Sequence, residues 1–360
     1  MDIVLLIIIG ILGILLFLLV GLVLYKQYLR YSTRIESPNG ISSLEPIELG
    51  GLKQWIFIRG MEKSNPVLLF LHGGPGEPSL GMSSSRKEDA ELIRHFTVVH
   101  WDQRGAGKSF STNIPVDSMT LDRLVEDCKE LIDHLRLKFD TPRVFLVAHS
   151  SGTLIGIKTA DRYPEKLYAY VGVSQIINDH EHEQISYEFV VEEAERSGNT
   201  KHQNAIKAIG PPPYETPNEL WAKANYIARY GGMVRDFSIR KMIGIVLPYF
   251  TSPEYSILDG IRTIMGRGRN FTTNALWKET VAINFAEEMD SMSVPIYFFE
   301  GKYDMIIPKG PAEKFYRDVN ADKGKTLVVF ENSAHYPMIE EKEKYEKTLI
   351  DIVLKESSTI

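Results

Sequence analysis

Three stretches of the chain share one plan. "PVLLFLHGGPG" (Pro66–Gly76), "FTVVHWDQRGAGKS" (Phe96–Ser109) and "VFLVAHSSGTLIG" (Val144–Gly156) each run apolar without alternation, then stop at glycine and polar residues. Solid apolar runs of this length suit strands buried on both faces, and such strands belong to parallel sheets covered by helices. Helical spacing fills the intervals. Leu121, Leu124, Val125, Cys128, Leu131, Ile132 and Leu135 fall on one side of a helix predicted from Thr120 to Phe139, with Thr120 as N-cap. A second helix is expected from Ser151 to Tyr163 and a further strand from Leu167 to Ser174. "VPIYFFEGKYD" and "KTLVVFENSAHYP" resume the strand plan near the C-terminus, with helices near Pro311–Val319 and Glu340–Leu354. Strands alternating with helices predict an α/β fold, a mostly parallel sheet with helices on both faces.

Two segments break the pattern. Between about Ile177 and Met292 the chain is helical, carries "GPPPYETP" and has no strong strand, so it reads as a helical cap inserted into the sheet domain. The other is Ile3–Leu24, which has no charge and no strongly polar side chain. As a helix it is about 33 Å long, enough to cross a bilayer. A cleaved signal peptide needs a basic start and a shorter apolar core, and a buried core helix is rarely apolar all round. The reading adopted is a transmembrane anchor over 1–30. Lys26, Arg30 and Arg34 follow the span and Asp2 precedes it, which places the C-terminal bulk in the cytoplasm. Residues 31–45 read as a polar tether, 46–176 as the first part of the sheet domain, 177–292 as the cap and 293–360 as the remainder. "PIELGGLKQWIFIRG" (Pro46–Gly60) reads as a hairpin turning at Gly50-Gly51.

Composition narrows the partners. There are 41 basic against 47 acidic residues among 360, and the globular part has no basic block, which argues against nucleic acid. The single cysteine, Cys128, excludes an intramolecular disulfide and falls inside a helical pattern as a small core residue.

The chemistry gathers at loop positions after strands. Ala148-His149-Ser150-Ser151-Gly152 has the small-x-Ser-x-small form of a nucleophile elbow. There a sharp strand-to-helix bend exposes Ser150, and bulky flanks collide. Ser151 lacks the symmetric small flanks. Asp304 and His335 each follow a later strand, giving the chain order Ser, Asp, His that this architecture uses. In that arrangement His335 takes the proton of Ser150 and Asp304 orients the imidazole. The backbone N–H of Ser151 and that of Gly74, or of Gly73, are candidate oxyanion donors, and His72 reads as a brace for their loop.

On the residues "HGGPG", "WDQRGAGKS", the elbow at Ser150, Asp304 and His335, the sequence resembles serine hydrolases of the α/β-hydrolase fold, and among them the proline iminopeptidase-like peptidases. The resemblance covers about Pro46 to Leu354. It implies a cap over the active site and release of an N-terminal residue, often proline, from small peptides. It departs at the elbow, where the family usually reads Gly-Gly-Ser-Trp-Gly and Ser151 here stands at the tryptophan. Carboxylesterases and lipid-ester hydrolases share the family, so an ester substrate is the alternative; a non-enzymatic ligand receptor on the same fold is the second.

Three other features carry weaker readings. "GAGKS" (Gly105–Ser109) lacks the glycine a phosphate loop needs, Asp102 standing in its place, and Arg104 reads as a structural tie. "DHEHE" (Asp179–Glu183) puts His180 and His182 on different helix faces, against a metal site. Glu181 or Glu183 is placed to pair with a substrate's α-amine, the plainer reading being a solvated helix start. Tyr187, Tyr214, Trp221 and Trp277 read as cap core rather than pocket. No metal or organic cofactor is required.

Overall fold

In the computed structural model, residues 3–78, 86, 89–235, 238, 243–244 and 246–357 are described. Met1 and Asp2, residues 236–237, 239–242 and 245 of the expected cap, and residues 358–360 lie outside that set. Among the described residues eight strands form one sheet in the order β1-β2-β4-β3-β5-β6-β7-β8. They are β1 (Ile41–Leu49), β2 (Leu52–Gly60), β3 (Val67–Leu71), β4 (Thr97–Asp102), β5 (Val144–His149), β6 (Leu167–Val173), β7 (Ile296–Gly301) and β8 (Lys325–Phe330). The β1–β2 and β2–β4 pairs are antiparallel and the rest parallel.

The apolar runs do what their lack of alternation implies. Leu69, Leu71, Val144, Leu146, Ile296 and Phe298 point to one face, against helices α2 (Leu121–Lys138), α3 (Gly152–Arg162) and α10 (Gly310–Asp318). Their neighbours Leu68, Phe145, Val147, Tyr297 and Phe299 point to the other, against a short helix at Leu92–His95 and the C-terminal helix α11 (Lys342–Thr348). Burial on both sides of a period-two pleat removes the polar face an antiparallel sheet would show. Thr120 caps α2 by accepting from the Arg123 amide at 3.1 Å. The C-terminal helix widens into a π-helical turn at Leu349–Leu354.

The hairpin turns at Gly50-Gly51, both in the left-handed region (φ +52° and +70°), as a two-residue turn between right-twisted strands requires. Its first strand begins at Ile41 rather than Pro46, because β1 pairs with β2 along its whole length, out to Ile41 opposite Gly60. The segment expected as a tether therefore gives its last residues to β1. It also gives Tyr31 and Ser32 to α1 (Ile3–Ser32), a helix without a buried residue. Among the described residues α1 is the one helix long and apolar enough to cross a bilayer.

Between β6 and β7 the chain forms α4 (Asp179–Ser197), α5 (Thr200–Ile209), α6 (Pro217–Arg229), α7 (Pro248–Thr251), α8 (Ile257–Ile264) and α9 (Arg267–Thr280). Val190, Ala194, Ile206 and Ile227 give α4–α6 a small core of their own.

Just past the end of β4, Arg104 is buried against Asp127, with Nε 2.7 Å and Nη2 3.0 Å from the two carboxylate oxygens. Asp127 also accepts from Gln54 and Arg123, and Arg104 Nη2 reaches the Gly50 carbonyl at 3.1 Å. The tie therefore joins the hairpin turn, the β4 loop and α2. Asp127→Ala leaves the Arg104 charge buried without its carboxylate. The expected loss is about 3–5 kcal/mol in denaturant unfolding, with the double change Arg104→Met, Asp127→Leu recovering much of it. A single variant within about 1 kcal/mol of the parent contradicts this reading.

Candidate active site

The C-terminal ends of the parallel strands meet at one rim, and each sends a loop there. The sharpest bend is at the end of β5. Ser150 has φ +54°, a left-handed conformation that costs a non-glycine residue on the order of 1–3 kcal/mol. Its amide donates to the Val173 carbonyl at 2.9 Å, and its own carbonyl accepts from the Thr153 amide and hydroxyl. The small flanks have a direct cause. A Cβ on Gly152 would lie 2.5 Å from the His72 carbonyl oxygen and 2.8 Å from that of Leu71, at the end of β3. A Cβ on Gly73 would lie 2.8 Å from Ser150 Cβ. Ala148 is fully buried, 2.7 Å from where a Gly156 Cβ would stand.

At this bend Ser150 Oγ lies 3.0 Å from His335 Nε2, and His335 Nδ1 lies 2.8 Å from Asp304 Oδ2. The other carboxylate oxygen of Asp304 accepts from the amides of Ile306 and Ile307, each at 2.9 Å. Its two oxygens are thus assigned, one to the loop and one to the imidazole. The His335 amide donates to the Met233 carbonyl at 3.1 Å, which ties this loop to the helical insertion. All three side chains are buried.

Two further histidines sit at the rim with different roles. His72 Nδ1 donates to the Gly73 carbonyl at 2.9 Å, and Nε2 accepts from the Gln103 amide at 3.1 Å. Burial pushes its pKa down to about 4, so it stays neutral and braces the glycine loop. His149 Nε2 donates to the His335 carbonyl at 2.8 Å, with its ring 4.7 Å from that of His335. Burial, then the neighbouring His335, pushes its pKa down to about 3. Sequence reading gave His149 no role, because an elbow pattern leaves its second position open. Glu300, at the end of β7, was also missed. It is fully buried, and burial raises its carboxyl well above the usual range.

A cavity of about 290 Å³ opens on Ser150, Ser151 and His335, with Gly73 and Gly74 in its wall. Asp179, His180, Glu183 and Lys223 line it from the insertion. Glu183 and Lys223 form a buried ion pair, and Lys223 stands over the Tyr214 ring at 5.4 Å. Burial, then the Glu183 carboxylate, raises the Asp179 pKa to about 7. Glu181 does not reach this cavity; it borders a separate crevice with Asn178 and Glu287, between the ends of the insertion and α10. Helix α4 turns residues 179 and 183, one turn apart, to the same face and residue 181 away. Tyr214, Trp221 and Trp277 line the cavity rather than a core, since α4–α6 already pack on their aliphatic residues; Tyr187 remains in that packing. His182 is buried and accepts from the Ile177 amide, and no group of three or more metal-ligating side chains occurs among the described residues.

Known proteins resemble this chain in sequence and in fold. The model of the family described as serine aminopeptidase, S33, matches residues 91–207. A probable aminopeptidase, YbaC, of Bacillus subtilis is 31% identical over 319 residues, 88% of this chain and 97% of the relative. The chain belongs to the S33 serine aminopeptidase family. It is therefore a hydrolase of the α/β-hydrolase fold. Another relative, a proline iminopeptidase of Saccharolobus solfataricus, is 25% identical over 313 residues, 84% of this chain and 89% of that one. The crystal structure of a proline iminopeptidase from Mycobacterium smegmatis superposes with a TM-score of 0.60 at 15% identity, over 88% of this chain and 99% of that one, which shows the shared fold.

The elbow packing has a direct test. In Gly152→Ala the new methyl meets two backbone oxygens that cannot swing aside. The expected cost is about 1–3 kcal/mol in denaturant unfolding together with a fall in kcat. Parental stability with full activity contradicts the packing described.

Proposed function

We propose that this S33 family member is an aminopeptidase of proline iminopeptidase type, releasing an N-terminal residue from small peptides by a Ser-His-Asp mechanism. The observation that carries the reading is the hydrogen-bonded line Ser150–His335–Asp304 opening into a cavity that also holds acidic side chains. Ser150 Oγ attacks the scissile carbonyl carbon and its proton passes to His335 Nε2. Asp304 holds the imidazole and balances its charge. The backbone N–H groups of Ser151 and Gly74, or Gly73, receive the oxyanion. His335 then protonates the departing amine, and water activated by the same nitrogen releases the acyl group.

Helices from residues 177 to 292 act as the cap. The substrate's α-ammonium meets Asp179 with Glu183. Lys223 already neutralises Glu183, so Asp179 supplies the net charge. This replaces the sequence expectation that Glu181 or Glu183 does so alone. α1 serves as a single-pass anchor, and Lys26, Arg30 and Arg34 keep the hydrolase domain in the cytoplasm.

Apolar lining from Phe70, Leu92, Val147 and Met338 favours a second reading, a carboxylesterase or lipid-ester hydrolase. A panel on the purified full chain separates the two. Aminoacyl and prolyl amides are expected to be cleaved; fast turnover of short-chain aryl esters with no amide cleavage rejects the peptidase reading.

The amine site adds a pH signature. Asp179 is neutral below about 7 and ionised above it, and only the ionised form attracts an ammonium. KM for aminoacyl amides is expected to fall as pH rises towards that value and to rise again as the substrate's α-ammonium loses its proton at about 7.7–8.0, while KM for uncharged esters stays flat. Asp179→Asn is expected to abolish the fall. An unchanged profile in that variant removes Asp179 from amine recognition.

A further inference from the structure

Helix α8 packs with Asp259 and Gly260 inward. Asp259 is buried, accepts from Lys108 Nζ at 3.1 Å and caps its own helix through Ser256. Just before the helix, the Tyr255 hydroxyl donates to Asp102 at 2.6 Å. Gly260 lies so close to α7 that a Cβ there would stand 2.8 Å from the Tyr249 carbonyl oxygen. The large apolar residues face outward. Leu258, Ile261, Ile264 and Met265 are 62, 40, 48 and 59% exposed, and Ile243, Val246 and Leu247, ahead of α7, are exposed as well. Exposed Arg262 and Arg267 flank the face.

The position of this face names its partner. Lys26 Nζ donates to the Tyr255 carbonyl at 2.7 Å, and Arg30 Nη2 donates to that of Pro253 at 2.9 Å. Lys26 lies two residues past the last apolar residue of the span, Leu24, or about 3 Å along the helix axis. The backbone gripped by the end of α1 thus runs directly into α8. Helices whose apolar face enters the bilayer surface sink about 5–10 Å, to the headgroup and acyl boundary. We propose that α8, with Ile243, Val246 and Leu247, is a second membrane contact, lying in the bilayer surface beside the α1 span. Its arginines meet anionic headgroups. The inference rests on the reading of α1 as an anchor. Two attachments fix the domain's tilt where one helix leaves it free to swivel. Arg262 and Thr263 share a crevice with Gly76, Glu77 and Pro78, so the docked helix adjoins the loop that rims the cavity.

Site-directed quenching tests this on the full chain in nanodiscs of phosphatidylcholine and phosphatidylglycerol. Burial raises the Cys128 thiol to about 12, so an environment-sensitive dye labels introduced cysteines selectively. Leu258→Cys and Ile264→Cys report the face, Leu12→Cys the span, and Leu137→Cys, at an exposed position on α2, the aqueous side. The expected result is a blue shift at 258 and 264, loss of quenching by aqueous iodide, and quenching by lipids brominated near the headgroup. Lipid quenching at 258 and 264 no greater than at 137 overturns the docking. Protection from iodide without lipid quenching also overturns it, because a second copy then covers the face. Position 12, at the middle of the span, is read with lipids brominated at the end of the acyl chain: quenching there with none at 258 and 264 leaves the anchor standing and removes α8, and no quenching there removes the anchor reading itself.

Discussion

A serine in a left-handed backbone conformation, wedged between the end of one strand and the start of a helix, is the constraint around which this rim is organised. Ser150 is held there by hydrogen bonds from both sides, to Val173 on β6 and from Thr153 on α3. Those bonds exist because β5 lies in the sheet next to β6 on one side and β3 on the other. β3 in turn delivers the His72–Gly76 loop within van der Waals contact of the serine. There only glycine at 73 and 152 leaves room. The strain at one residue is therefore offset by the packing of three strands and a helix, which relax little when one atom is added.

The electrostatics follow from the same burial. His72, His149 and His335 crowd one rim, yet only His335 has a carboxylate on its second nitrogen. The other two spend their ring N–H groups on backbone carbonyls, and burial keeps them neutral at physiological pH. Asp304 is held in place by two amides, so it can stabilise a cation on His335 without moving. On the cavity's opposite wall the Glu183–Lys223 pair cancels its own charge and leaves Asp179 to titrate near neutrality.

Much of this was legible in the sequence, for identifiable reasons. Solid apolar runs ended by glycines located the buried strands, and the residues just past them are where a parallel sheet places chemistry. This picked out Ser150, Asp304, His335 and the loop from His72. Helical phase was the weaker guide in the insertion. "DHEHE" has two glutamates, and only the exact start of α4 decides that Glu183 and Asp179 face the cavity while Glu181 faces away. Lys223, which sets the charge of that wall, lies on a different helix in a sequence with no motif around it. His149 and Glu300 were invisible because their environments come from strand neighbours distant in the chain. β1 began earlier than expected because its Ser42, Ser43 and Glu45 are tolerated on a half-exposed edge strand.

The reading of the site depends on Ser150 being the nucleophile rather than its neighbour Ser151. Treating the full chain with a fluorophosphonate and mapping the adduct by peptide mass spectrometry tests this most directly. The account predicts one adduct per chain, on Ser150, and none after His335→Ala under the same exposure. An adduct on Ser151, or modification at an undiminished rate without the imidazole, contradicts it.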